Sequence, residues 1–144
     1  MCGIAGIWKN YSAKELDLIS EGNAMINAIK YRGPDNSCIW TEPSCSLLLG
    51  HQRLAILDLS EAGNQPMTSA SGRYVITYNG EIYNHLNLRK DLEESDLIYR
   101  PWIGYSDTET LLAAIEAWGI EEALIRSTGM FSFGLWDRSE RSLH

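Results

Sequence analysis

The sequence predicts an α+β fold in which antiparallel sheets carry helices on their faces. Short strand-like runs lie near both ends and in the middle of the chain, over 3–8, 37–40, 46–49, 73–78 and 130–137, the run 73–78 being rich in β-branched and aromatic residues. Segments with the 3.6-residue apolar period lie between them, over 16–29, 84–94 and 106–118. Strands and helices do not alternate as a parallel βαβ sheet requires, so the strands are expected to pair antiparallel with helices stacked on them.

In chain order, the run 3–8 alternates small and apolar residues as a strand does, and Leu16, Ile19, Ile26 and Ile29 then recur at helical spacing. Arg32-Gly33-Pro34-Asp35 ends that helix, because proline restricts both itself and its predecessor. Short strands follow at 37–40, 46–49 and 55–57, then a polar loop over 60–66. The run 73–78 is the clearest strand. Asn84 is a candidate N-cap for a helix that places Leu88 and Leu92 on one side. Ser106 and Glu109 form a capping-box pattern ahead of Leu111, Leu112, Ile115 and Trp118. A short helix at 121–126 precedes the last strand.

At 144 residues the chain fits one domain with a real core. With 12 Lys+Arg against 19 Asp+Glu and a net charge of −7, it offers no electrostatic footing for nucleic acid or an anionic membrane. The start is too polar after Trp8 for a secretory signal, and no run approaches the roughly 20 apolar residues of a membrane span, so the expected compartment is the cytoplasm. Cys2, Cys38 and Cys45 contain no Cys-x-x-Cys pair, and the histidines are scattered. Neither a zinc site nor a disulfide framework is indicated. Cys38 and Cys45 read as buried strand residues on two segments that pair as a hairpin, with a disulfide not expected in a reducing compartment.

The second residue carries the chemistry. Removal of Met1 makes Cys2 the N-terminus, and one residue then holds a thiol and a free α-amine. The thiolate is the nucleophilic form and a minority species for an ordinary cysteine at neutral pH, so it needs a base close by. An α-amine, with a reference pKa of about 7.7–8.0, can serve. Taken alone, Cys2 reads as a small apolar residue opening a strand. A pair of Cys2 with His51 is the rival catalytic arrangement, and their spacing does not decide against it.

Behind the Met1-Cys2-Gly3-Ile4 start come, in order, Tyr31-Arg32-Gly33-Pro34-Asp35, Gly50-His51-Gln52-Arg53-Leu54, Tyr78-Asn79-Gly80-Glu81-Ile82-Tyr83-Asn84 and Ser106-Asp107-Thr108-Glu109. Together these segments closely resemble the glutaminase domain of asparagine synthetase, a class II glutamine amidotransferase, from Cys2 to about Asp137. Arg-Gly-Pro-Asp favours that branch over relatives that aminate sugar phosphates or phosphoribosyl substrates. The resemblance implies the αββα fold of N-terminal-nucleophile hydrolases, two central antiparallel sheets between helical layers. In the family further strands follow. The chain is therefore expected to be one glutaminase domain over 1–144, incomplete at its C-terminus and lacking the synthetase domain.

The same resemblance implies an activity: attack of Cys2 on the side-chain amide of L-glutamine, with its α-amine as proton shuttle, and release of glutamate and ammonia through a thioester. The ammonia would pass to an ATP-dependent synthetase domain. No cofactor is expected for the glutaminase step, with ATP and Mg2+ belonging to the synthetase domain. Asn79 and Gly80 would form the oxyanion hole, although Asn-Gly after a strand is also a strong hairpin signal. Arg53 would grip the α-carboxylate bidentately, as lysine cannot. The backbone at Leu54 and Ile56 would line the pocket, and Asp107 and Glu81 would face the α-ammonium. An acid in a first helical turn, as at Asp107, is also stabilising for dipole reasons alone. Arg32 reads as a loop-ordering residue and His51 as a core imidazole, with Tyr78, Tyr83 and the tryptophans as core and pocket walls. The segment 100–105 is expected to shape the pocket rim. Amidotransfer to a sugar or another carboxylate, and a non-catalytic binding or regulatory module of the same fold, are the alternatives. A homodimer of the full-length protein is a further expectation.

Overall fold

The computed structural model describes residues 1–12, 14–98 and 100–144. The elements are β1 (Gly3–Trp8), α1 (Glu15–Ala28), β2 (Asn36–Glu42), β3 (Leu47–Arg53), β4 (Met67–Thr68), β5 (Tyr74–Ile82), α2 (His85–Glu94), α3 (Asp107–Trp118), α4 (Ile120–Arg126), β6 (Gly129–Asp137) and β7 (Ser142–Leu143). They form two antiparallel sheets, ordered β1-β3-β2 and β4-β5-β6-β7. Helix α1 packs on the first sheet and α3 on the second, while β1 and β3 face β5 between them. This is the expected four-layer αββα sandwich.

Period-two alternation builds the stack. Every residue of β3 is buried. Leu47 and Leu49 enter the space between the sheets with Val75 and Trp136, and Leu48 faces α1 at Gly22. On β5, Ile76, Tyr78 and Ile82 meet Leu88, Leu92, Leu111, Leu112 and Ile115 of α2 and α3. Thr77 turns the other way and donates its hydroxyl to the Gly50 carbonyl at 2.9 Å, a polar tie between the sheets. Each fully buried Leu or Ile here contributes about 1.5–3 kcal/mol of transfer free energy, so the sandwich rather than any one helix holds the strands in place.

Several local expectations are corrected. The buried stripe of α1 is Leu18, Gly22 and Ile26, and Leu16 is 79% exposed. At 3.6 residues per turn Leu16 lies almost opposite Leu18. Residues 55–57 form no strand, because the amides of Leu54 and Ala55 are taken by the Cys2 sulfur and the Asp35 carboxylate instead of a ladder. Strand β3 runs on to Arg53 and β5 to Ile82, beyond their apolar runs, because polar residues continue the ladder. Asn79-Gly80 therefore lies inside β5, opposite Ser132 and Phe131 of β6, and is not a hairpin turn. Cys38 is exposed, and Cys45 sits in a 3-10 turn rather than a strand; both are free thiols. Asn84 holds the N-cap position of α2, but its side chain bonds Arg126 O and Thr128 N instead. Among the described residues no helix is long and apolar enough to cross a membrane.

Candidate active site

Strand register brings the N-terminus to the site. Gly3 pairs with Gln52, so Cys2 falls beside the end of β3. The C-terminal part of β5 and the first turn of α3 reach the same end of the sandwich, and together they enclose a cavity of about 190 Å³. Cys2, Asn79 and Gly80, expected to carry the chemistry, line it. So do Arg53, Leu54, Ile56, Glu81 and Asp107, expected to bind substrate.

The Leu54 amide donates to the Cys2 sulfur at 3.3 Å, and Arg32 Nε donates to the Cys2 carbonyl at 2.9 Å. Asp35 completes the brace: its amide donates to Arg53 O at 3.0 Å and its carboxylate accepts from Ala55 N at 2.8 Å. Arg-Gly-Pro-Asp thus fastens both Cys2 and the turn opposite it.

Arg53 is 7% exposed. Its Nη1 donates to Ser60 O and to Asn64 Oδ1, each at 2.8 Å, and its Nη2 donates to Asp58 O. Those three bonds leave two of the five guanidinium donors, Nε–H and one on Nη2, for a ligand. Among the described residues no carboxylate pairs with it. Asp107 is the opposite case, a carboxylate only 5% exposed with no cationic partner among the described residues. Tyr78 Oη and Ile82 N both donate to its Oδ2 at 2.9 Å, which leaves Oδ1 for a ligand. Burial first, and the Asp107 charge second, push the Tyr78 phenol far above its ordinary value, so it stays a donor.

The Asn79 amide lines the cavity without a hydrogen bond to another described residue. Gly80 has no room for a side chain: a Cβ there would lie 2.4 Å from Met130 O and from Phe131 Cα, so only glycine lets β6 pair at this point. Glu81 and Ile56 lie at the rim, both exposed.

His51 does not line the cavity. It is 1% exposed, its Nε2 lies 3.0 Å from Tyr78 O, and its Nδ1 is buried without a hydrogen-bond partner among the described residues. A carbonyl only accepts, so Nε2 carries the proton and Nδ1 does not. Burial lowers the imidazole to about 4, outweighing the raising effect of the Tyr78 carbonyl. An unfolded histidine titrates near 6.5, so between about pH 6.5 and 4 the unfolded chain binds the extra proton and stability falls as pH falls. The expected loss is of order 3 kcal/mol. Denaturant titrations across that window should show a shallower slope in His51→Gln than in the parent, and an unchanged slope would refute the buried neutral assignment.

Sequence reasoning quoted Asp35 in a motif without giving it a role, did not single out Asp58 or Gln65, and read Tyr78 as a wall. Gln65 Oε1 accepts from Tyr78 N at 2.7 Å and its Nε2 donates to Thr108 Oγ1 at 3.2 Å, joining β5 to α3 in the cavity wall. A buried glutamine in a polar loop leaves no periodic signal. The segment 100–105 does not line the cavity and stands behind it: Arg89 donates to Gly104 O and Ser106 O, and the Glu109 carboxylate accepts from Ile103 N and Gly104 N. The Ser106 hydroxyl caps α3 as expected, at 3.2 Å from Glu109 N.

A four-layer sandwich with a cysteine immediately before its first strand, opening on a cavity lined by charged and amide groups, is an N-terminal-nucleophile-type architecture. A family profile described as "Glutamine amidotransferase domain" matches residues 1–144, and the chain belongs to that family. It is 37% identical over 145 residues to "Asparagine synthetase [glutamine-hydrolyzing] 3" of Bacillus subtilis (strain 168), covering 99% of this chain and 22% of that protein. It is 35% identical over 137 residues to "Asparagine synthetase B [glutamine-hydrolyzing]" of Escherichia coli (strain K12), covering 95% of this chain and 23% of that protein. It is 36% identical over 157 residues to "Putative asparagine synthetase [glutamine-hydrolyzing] 2" of Methanocaldococcus jannaschii, covering 97% of this chain and 28% of that protein. The chain thus spans about a quarter of the length of these relatives.

Proposed function

We propose that the chain is the glutamine-hydrolysing part of an asparagine-synthetase-like enzyme. With Met1 removed, the Cys2 thiol attacks the side-chain amide carbon of L-glutamine, and the Cys2 α-amine takes the thiol proton and passes it to the departing ammonia. Water then cleaves the γ-glutamyl thioester, giving glutamate and restoring the thiol. The Asn79 amide and the Gly80 N–H hold the oxyanion formed in each step. Arg53 grips the α-carboxylate with its two unspent donors, Asp107 meets the α-ammonium with Glu81 nearby, and the backbone at Leu54 and Ile56 completes the wall.

One observation carries this reading. Among the described residues, a buried guanidinium with no salt bridge to a carboxylate and a buried carboxylate with no salt bridge to a cation open on the same cavity as a cysteine. Leaving either charge buried and unpaired is costly. The zwitterionic end of an α-amino acid satisfies both at once, and its side chain then extends toward the nucleophile.

The ammonia passes to an ATP- and Mg2+-dependent synthetase region C-terminal to residue 144, and the glutaminase step itself uses no cofactor. Residues 1–144 form one glutaminase domain whose sheets continue past His144. The names of the relatives support asparagine as the end product, and the full-length protein works in the cytoplasm as a homodimer. In the purified protein, Arg53→Lys and Asp107→Asn should each raise the KM for glutamine about 10–100-fold, the worth of a hydrogen bond to a charged group, with a smaller effect on kcat. Steady-state ammonia release checks this. Parent-like KM values in both variants would put the substrate elsewhere.

A further inference from the structure

We infer that Asp58 is a positioning residue that sets the spacing between the two charged ends of the cavity. The assignment rests on the roles proposed above for Arg53 and Asp107. Asp58 is 7% exposed. Its Oδ1 accepts from Ser60 N at 2.8 Å and from Ser60 Oγ at 2.7 Å, and its Oδ2 accepts from Tyr105 N at 2.8 Å. One carboxylate therefore spans two separate parts of the chain.

Each part leads directly to one end of the cavity. On the first side, the carbonyls of Asp58 and Ser60 are two of the three acceptors that orient the Arg53 guanidinium. A shift of this turn moves the guanidinium with it. On the other side, Tyr105 precedes Ser106, the cap of α3, and Asp107, its first residue. Arg89 and Glu109 hold this segment from the helix side, and Asp58 holds it from the cavity side. The neutral tie from Gln65 reaches Thr108, the residue after Asp107.

The packing is built for that contact. A Cβ at Gly104 would fall 2.4 Å from Asp58 Oδ2 and 2.8 Å from Ala62 Cβ, so only glycine lets the segment close onto the carboxylate. The Ser60 hydroxyl, the Tyr105 and Ser60 amides and the field of Arg53 hold the Asp58 carboxyl below its usual range, against the opposing effect of burial. It is thus a full acceptor for three donors at neutral pH.

A ligand that engages both ends must feel this clasp more than a ligand that engages one. The test compares L-glutamine with 4-carbamoylbutanoate, which lacks the α-amine, as substrates of the parent protein, Asp58→Asn, Gly104→Ala and Asp107→Asn. Active-site concentration is normalised by titration with a diazoketone analogue of glutamine. Asp58→Asn should raise the KM for glutamine about tenfold with kcat nearly kept, and shrink the kcat/KM preference for glutamine over the des-amino analogue by a similar factor. Gly104→Ala should do the same without altering Asp58, which covers the case of an Asp58 variant that does not fold. A lower titre or lower Tm with KM and preference intact in both variants would reduce Asp58 to a stability residue and overturn the proposal. A preference that survives in Asp107→Asn would instead overturn the reading of Asp107, and loss there combined with retention in Asp58→Asn and Gly104→Ala would overturn the positioning role alone.

Discussion

Cys2→Ala should abolish ammonia release from glutamine while leaving glutamine binding nearly intact. The expectation follows from a separation of labour in the cavity. The groups proposed to bind the α-carboxylate and α-ammonium sit chiefly on β3 and α3, whereas Cys2 immediately precedes β1 and meets Leu54 on the pocket wall, its sulfur accepting from the Leu54 amide at 3.3 Å and donating to the Leu54 carbonyl at 3.6 Å. Removing the sulfur removes the covalent route without disturbing the charged partners. Calorimetric titration of Cys2→Ala with glutamine checks the binding half. The diazoketone analogue checks the chemical half, since it should add once to the parent protein, at Cys2. Cys38 provides the internal control: it is exposed and free, yet it lies on β2 away from the cavity. An adduct on Cys38 or Cys45 with Cys2 untouched, or undiminished ammonia release from Cys2→Ala, would remove Cys2 from the mechanism.

The fold and the site were legible in the sequence for different reasons. Strand β6, α3 and α4 follow from local pattern, because each presents an apolar stripe or run with a recognisable boundary. The element pattern gave antiparallel sheets with helices on their faces, whereas the layer order, two central sheets between helices, came with the family motifs. Leu16 shows where periodicity misleads: it is apolar and near the expected phase, but the true stripe passes through Gly22, which no hydrophobicity count registers. The end of β5 shows the reverse. Asn79-Gly80 reads as a turn by local chemistry, yet β6 closes over it and keeps it extended, a tertiary effect overriding a strong local preference. Cys2, Arg53, Asn79, Gly80, Glu81 and Asp107, which line the cavity, were singled out because they stand in motifs that follow one another in a fixed order. Asp58 and Gln65 were not, and Asp35 stood in its motif without a role, because their work is to accept and donate hydrogen bonds across distances of tens of residues, and polar loop residues carry no period that marks a distant partner.

These ties also explain why the site is assembled at one end of the sandwich. Cys2, Arg53 and the Asn79–Ile82 stretch come from strand ends, where the ladder stops using backbone groups on both sides and some are released to face a ligand. Asp107 comes from a helix start, where the first-turn position already favours a carboxylate, so its role at the cavity and its role in the helix reinforce each other. Burial of the Arg53 and Asp107 charges is tolerated because each keeps two or more internal hydrogen bonds in the absence of substrate.

The identity of the base gives the second large effect. With Met1 attached, the Cys2 nitrogen is a peptide amide and has no usable lone pair; Met1 also lines the cavity mouth, 68% exposed. Protein with Met1 retained, or with a residue added ahead of Cys2, should lose about 10²–10⁴ in kcat, the usual worth of a positioned general base. Removal of the extra residue by an aminopeptidase should restore it. His51→Gln should keep substantial activity, because the imidazole is held at about 4, spends its Nε2 proton on the Tyr78 carbonyl and does not reach the cavity. Intact-mass measurement of each sample fixes the state of the N-terminus, so the two effects separate cleanly. Full turnover with Met1 attached, alongside a dead but folded His51→Gln, would transfer the role of base from the α-amine to the imidazole and overturn the N-terminal-nucleophile mechanism.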